Sequence, residues 1–248
     1  MKVAVITGAS RGIGKSIALN TAKRGVGVIL TYNRNQQEGL AVANEIKKSG
    51  GKVVVLQLDS SKVKSFGDFA AQVKKSLQEE FGKDTFDFLV NNAGIAGQRG
   101  SILETTEDGF DELVNVNLKG PYFLTQKLVP LMADGGHIIN ISSGLARFSF
   151  PNVAVYGALK SALEGFTRYF AKEFANRRIR ANSVAPGAVD TEFGGGKDAN
   201  MKKHISEMTA LGKMADADDI GPFVASLLTD DSKFLNAQRI ELSGGFFI

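Results

Sequence analysis

Short, almost wholly apolar runs alternate along this chain with longer stretches in which apolar residues recur every three or four positions. The runs fall at 3–7, 27–32, 52–58, 86–90, 136–141, 180–185 and 238–242. A strand that is apolar at nearly every position is buried on both faces, as in a parallel sheet covered by helices. Helical periodicity fills the intervals at 14–24, 36–48, 62–80, 106–132, 154–176 and 216–229. This alternation predicts an α/β fold with a mainly parallel sheet of about seven strands. Right-handed crossovers then make it doubly wound, with helices on both faces. No linker, repeat or composition break divides residues 1–248, so a single domain is expected. The stretch 191–214 contains Gly194, Gly195 and Gly196 among polar residues and reads as a flexible substrate flap.

Composition narrows the chemistry. The chain has no cysteine, which excludes disulfides, thiolate metal sites and a cysteine nucleophile. Its two histidines, His137 and His204, lie far apart, too few for a zinc site. They read as a strand-edge residue and a solvated loop residue, and no metal is expected. The net charge of +4 is scattered, without a basic patch interleaved with aromatics, so nucleic acid is not an expected partner. No apolar run approaches the roughly 20 residues of a membrane span. The first strand leads directly into a glycine motif, which leaves no room for a targeting segment, and a cytoplasmic protein is expected.

That motif is Thr7-Gly8-Ala9-Ser10-Arg11-Gly12-Ile13-Gly14, between the first strand and the first helix. Its spacing is G-x-x-x-G-x-G. Glycines permit a tight turn and close approach to a pyrophosphate, and the helix N-terminus offers unpaired N–H groups. The alternative is a βα turn without a ligand. The second strand ends in Tyr32-Asn33-Arg34, without the carboxylate that commonly holds an adenosine ribose. Arg34 and Arg11 can pair with a 2′-phosphate, unless both are simply solvated. The expected cofactor is therefore NADPH, with NADH possible.

Ser143 follows the fifth strand, and Tyr156 and Lys160 begin the next helix four positions apart, on one face. An ammonium beside a phenol is expected to lower its pKa. Such a tyrosine can protonate a carbonyl oxygen as hydride reaches carbon, and Ser143 can stabilise the developing charge. The alternative for the pair is a packed tyrosine and an exposed lysine.

Taken together, these motifs resemble the short-chain dehydrogenase/reductase family, of the compact type with a Rossmann-like fold. Asn91-Asn92-Ala93-Gly94, Asn117 and Pro186-Gly187 followed by Thr191 extend the resemblance essentially end to end. It implies a nicotinamide-dependent oxidoreductase of ketones and alcohols. Tyr156 would be the general acid or base, Lys160 would hold the nicotinamide ribose, Ser143 would orient the carbonyl, and Asn117 would hold a relay water. The implied cofactor contacts are Gly8, Ser10, Arg11, Gly12, Ile13 and Gly14 in the turn; Tyr32, Asn33 and Arg34; Asp59 and Ser60; Asn91, Ala93 and Gly94; Tyr156 and Lys160; and Pro186, Gly187, Val189 and Thr191. Asn91 also reads as a structural tie, and Asn117 as a satisfied polar residue within a helix. The family implies a tetramer built on the helices at 106–132 and 154–176. The apolar tail at 243–248 fits a subunit interface or docking within the chain.

The substrate is expected to be a small ketone or alcohol, at a rim formed by Leu145, Arg147, Phe148, Phe150, Val153 and Phe193. A 3-oxoacyl-carrier-protein reductase is the alternative enzyme. It is disfavoured because the segment before the fifth strand, Met132-Ala133-Asp134-Gly135-Gly136, is not basic. A nucleotide-sensing protein without chemistry is the alternative of another class, disfavoured by the complete serine, tyrosine and lysine set.

Overall fold

The computed structural model describes residues 1–193 and 198–246. Seven strands form one parallel sheet in the order β3-β2-β1-β4-β5-β6-β7. They are β1 (Val3–Ile6), β2 (Gly27–Tyr32), β3 (Val53–Gln57), β4 (Phe86–Asn91), β5 (Met132–Ile141), β6 (Arg180–Pro186) and β7 (Arg239–Leu242). The helices are α1 (Gly12–Lys23), α2 (Gln36–Lys48), α3 (Phe66–Ser76), α4 (Glu107–Val114), α5 (Gly120–Leu128), α6 (Ala154–Glu173), α7 (Ala199–Glu207) and α8 (Ala217–Leu227).

Strand parity sorts the core into two layers. Ala4 and Ile6 of β1, with Val28 and Leu30 of β2, pack against Ile17 of α1, Val42 of α2 and Val224 of α8. Val3 and Val5, with Ile29, face the other way, onto Phe69 of α3, Leu124 of α5 and Phe170 of α6. The doubly wound arrangement expected from sequence is the one observed. Because the chain runs outward in both directions from the β1–β4 pair, the turns after these two strands diverge and leave a crevice at their carboxyl ends.

Two expected helices need correction. The predicted helix at 106–132 is α4, a π-helical turn at Asn115–Lys119, and α5; Met132 already belongs to β5. The predicted helix at 62–80 likewise ends in a π-helical turn, Leu77–Phe81. The stretch read as a flap contains α7, and its glycines Gly194, Gly195 and Gly196 lie outside the described residues. Its far end is anchored: Ile205 and Met214 pack on Phe246, and Leu211 N–H donates to the Gly244 carbonyl. The tail is thus docked within the chain as far as Phe246. No helix among the described residues is long and apolar enough to cross a membrane.

His137 is fully buried within β5, not at a solvated edge, while His204 is exposed on α7. The Leu227 carbonyl can only accept, so His137 Nδ1–H donates to it at 3.1 Å. Nε2 then accepts from Asn182 Nδ2 at 2.7 Å. Burial, with the nearby Arg180 charge, pushes this imidazole from 6.5 down to about 3. The unfolded chain therefore takes up a proton below pH 6.5 that the folded one refuses until about pH 3. Folding stability should fall with acid over that window, with a slope of about 1.4 kcal/mol per pH unit from this residue. Chemical denaturation at pH 7, 6 and 5 should show that slope in the wild type and lose it in His137→Asn; an equal slope in both would remove the assignment.

Candidate active site

The two turns that frame the crevice are stitched together. Thr7 Oγ1 accepts from the backbone N–H groups of Asn92 and Ala93, both at 3.0 Å, and donates to the Val90 carbonyl at 3.3 Å. Asn92 Nδ2 donates to the carbonyls of Thr7 and Gly8, each at 2.9 Å. Gly8 sits at φ +62°, and a Cβ there would stand 2.9 Å from Ala93 Cα. On Gly14 it would stand 2.2 Å from the Gly8 carbonyl oxygen. These contacts leave no room for a side chain, so the glycine motif is a steric requirement of the junction.

Helix α1 starts from this turn with its N-terminus open. Arg11 at the N-cap provides no side-chain cap, and the first turn holds no acid. The unpaired N–H groups and the positive end of the helix dipole suit a diphosphate. Around the mouth, the ring of Tyr32 packs near Gly39, Gln57 Nε2 donates to the Asn33 carbonyl at 3.0 Å, and Asp59 Oδ1 accepts from Ser61. Ser60 is buried, Ser10 is half-buried, and Ile13 packs on the core. Arg34 is exposed and makes no ion pair among the described residues. Arg11 Nη1 instead lies 2.8 Å from Glu192 Oε2. On the far side, Gly187 N–H donates to the Leu242 carbonyl, and Val189 bridges to Ala215. A Cβ on Gly12 would stand 3.5 Å from the Thr191 methyl. A Cβ on Gly94 would stand 2.9 Å from Asn117 Oδ1 and 3.7 Å from Lys160 Nζ. The bare floor at Gly94 and the open helix end together fit a dinucleotide.

The reactive side chains meet at the end of β5. Lys160 Nζ donates to the Ile141 carbonyl at 2.9 Å and stands 5.5 Å from the centre of the Tyr156 ring. Ser143 hydrogen-bonds the Tyr156 hydroxyl. The expected lowering of the tyrosine pKa is not found. Although the ring keeps partial exposure, burial pushes its phenol from 10.0 up to about 12, and the Ser143 bond offsets only part of this. Burial also pushes Lys160 from 10.5 down to about 8. The ammonium binds a backbone carbonyl and overlies the ring face, so it does little for the hydroxyl. Each group disfavours its charged form where water is scarce.

Asn117 lies in the π-helical turn. Its amide donates to the carbonyls of Ile95 and Leu113 and accepts from Ile95 N–H. Asn91 points into the opposite layer, donating to Thr125 Oγ1 at 3.0 Å and Asn140 Oδ1 at 2.8 Å. Its side chain takes the structural place, and the crevice is bordered by its neighbours Asn92, Ala93 and Gly94.

Two concavities adjoin the site. The larger, about 710 Å³, is lined by Leu145, Arg147, Phe148, Phe150 and Val153 but not by Tyr156. The rings of Phe148 and Phe150 pack on Phe246, 5.6 and 6.3 Å between centres, so they face the docked tail. The smaller pocket, about 210 Å³, contains Tyr156 and Val153 and is the one placed for the chemistry. Phe193 stands 5.9 Å from the Tyr156 ring.

With this geometry in hand, residues 8–247 match a family model described as enoyl-(acyl carrier protein) reductase. A hydroxynaphthalene reductase-like protein of Metarhizium brunneum is 36% identical, over 98% of this chain and 94% of that protein. A tetrahydroxynaphthalene reductase of Pestalotiopsis fici is 35% identical, over 98% and 91%. Among solved structures, the angucycline C-6 ketoreductase LanV with bound NADP superposes with a TM-score of 0.94 at 34% identity, covering 99% of this chain and 95% of that one. A short-chain dehydrogenase/reductase from Serratia marcescens gives 0.92 at 32% identity, covering 100% and 98%. The chain belongs to the short-chain dehydrogenase/reductase family. It is an oxidoreductase that uses a nicotinamide cofactor.

Sequence reasoning gave no role to Thr7, Asn92 or Glu192. The parity of β4 carries a signal for one of them: Val90 and Asn92 face α1, whereas Leu89 and Asn91 face α5 and α6. Glu192 announces nothing locally, because it meets Arg11 only through the fold. Exposed pairs of this kind are worth about 0–1 kcal/mol. Glu192→Gln should therefore lower the KM for NADPH about two- to fivefold and leave that for NADH unchanged, measured in steady-state assays. Equal effects on both cofactors would show that Arg11 does not attend to the 2′-phosphate.

Proposed function

We propose that this protein is an NADPH-dependent ketoreductase, in which Tyr156 passes its proton to the carbonyl oxygen of a cyclic or aromatic ketone. One observation carries the reading. A phenol held protonated by its surroundings, bonded to Ser143 and backed by Lys160, lines a small pocket beside the crevice. The names of the relatives, which refer to hydroxynaphthalenes and an angucycline, support a ring ketone as substrate.

A nicotinamide held in the crevice would supply hydride for the carbonyl carbon. The Ser143 hydroxyl donates to the substrate oxygen and orients it. Tyr156, protonated at neutral pH, donates its proton to the same oxygen as charge builds there. The phenolate left behind is stabilised by the Ser143 hydroxyl, the neighbour that lowers the phenol's pKa. Lys160 would also offer donors to the nicotinamide ribose, and the nearness of Asn117 Oδ1 and Lys160 Nζ to Gly94 supports a relay-water role for Asn117. A phenol with a high pKa favours the reductive direction, because oxidation must begin from phenolate.

NADPH over NADH is supported by the unpaired Arg34 and by the lack of a carboxylate after β2. A tetramer through α4–α5 and α6 is supported by the exposed Phe110 and Tyr169 on those elements. Of Arg177 and Arg178, the arginines that could offer charge to an acidic carrier protein, Arg177 is tied to Asp134 at 2.8 Å and to the Val129 carbonyl, which leaves Arg178 exposed. The commitment of Arg177 supports a free small molecule over a carrier-linked substrate.

Tyr156→Phe should cut NADPH-dependent ketone reduction by about 10²–10⁴ while cofactor binding, read by fluorescence titration, stays within a few-fold. Retained turnover would remove Tyr156 as the acid. Arg34→Asp should move the preference toward NADH by at least about tenfold in kcat/KM. An unmoved ratio would assign the choice to other residues.

A further inference from the structure

The pocket that contains Tyr156 carries one arginine with nothing to hold. Arg99 lines it beside Gln98 and Gly100, is exposed, and makes no hydrogen bond or ion pair among the described residues. The acid in the same wall, Glu104, is already committed. It accepts from Ser101 N–H at 2.8 Å and closes a capping box on the short helical turn Ile102–Glu104. Its carboxyl is held below the usual range by those Ser101 bonds. Ala96, Leu113 and Val153 supply apolar wall. The pocket thus offers an incoming molecule an apolar body, a proton at Tyr156 and one free guanidinium.

We propose that Arg99 is a specificity-determining residue that pairs with an anionic oxygen on the substrate, a group separate from the ketone being reduced. A guanidinium presents a planar fork of donors that matches a carboxylate or an ionised ring hydroxyl. In open water such a pair is worth little. In a pocket of about 210 Å³ a ring ketone displaces most of the water, and the pair strengthens. The inference rests on the ketoreductase reading and refines it: the preferred substrates are ring ketones bearing a carboxylate or an ionised phenol or enol.

The test uses the whole protein with NADPH and two matched pairs of ketones. One pair is 3-acetylbenzoate and its methyl ester. The other is a 3,5-difluoro-4-hydroxyacetophenone, ionised at neutral pH, and its methyl ether. Steady-state parameters are taken for the wild type, Arg99→Gln and Arg99→Lys. Arg99→Gln should raise KM about tenfold or more for at least one anionic ketone, with kcat on both neutral partners and the KM for NADPH within twofold. Arg99→Lys should recover most of the loss. An effect confined to the benzoate identifies a carboxylate as the group read, and one confined to the phenolate identifies an ionised ring hydroxyl. An anionic-to-neutral KM ratio that does not change in Arg99→Gln overturns the inference alone. Absence of turnover on all four ketones by the wild type removes the ketoreductase reading and this inference with it.

Discussion

An ammonium and a phenol share one poorly hydrated place at the carboxyl end of the sheet, and everything else in the site serves to keep them there. Lowering a lysine from 10.5 to about 8 corresponds to about 3 kcal/mol, paid as long as the group stays charged below pH 8. The fold offsets part of this with the Ile141 carbonyl, which accepts from Nζ at 2.9 Å. That carbonyl lies at the last residue of β5, and the next residue, Ser142, is held to β6 by its N–H bond to the Val184 carbonyl. Ser142 Oγ donates to Glu164 at 2.6 Å, and Glu164 accepts from Arg239 of β7 at 2.8 Å. Ser143 therefore follows a residue clamped to both α6 and the sheet edge.

The other half of the site depends on the same sheet one strand further in. β1 and β4 are neighbours although three helices separate them in sequence, and their following turns part company. Thr7 and Asn92 close the gap with five hydrogen bonds between them and the backbone. The glycine turn is thereby fixed at its root, and the start of α1 is left uncapped. A rigid frame with open donors is what a diphosphate needs. The lysine and phenol lie across the crevice from it, with Gly94 as the bare surface between.

Much of this could be read from the chain because parallel strands buried on both faces are apolar throughout, and the intervals between them carry helical period. Where the period misled, a local device was responsible. The interval 106–132 keeps its apolar spacing through a π-helical turn that periodicity does not register. Helix α7 has Ile205 as its one buried residue and is polar overall, so no apolar stripe marks it within the glycine-containing stretch. The site residues were legible as types and spacings, and the fold brings Ser143, Tyr156, Lys160 and Gly94 together as those spacings require. The proton balance was not legible. Sequence places Lys160 one turn from Tyr156, but only the packed structure reveals that burial outweighs the neighbouring charge. The pairing of Arg11 with Glu192 and the freedom of Arg99 are likewise products of tertiary placement.

The claim at the centre is that Tyr156 keeps its proton through the neutral range and gives it up only to substrate. Phenolate absorbs in the near ultraviolet, so the titration of wild type minus Tyr156→Phe isolates this one residue. In the cofactor-free protein the difference signal should remain absent from pH 6 to 10 and emerge only toward about pH 12. A difference signal with a midpoint near pH 7 would mean that the ammonium, not burial, governs the phenol, and would contradict the account.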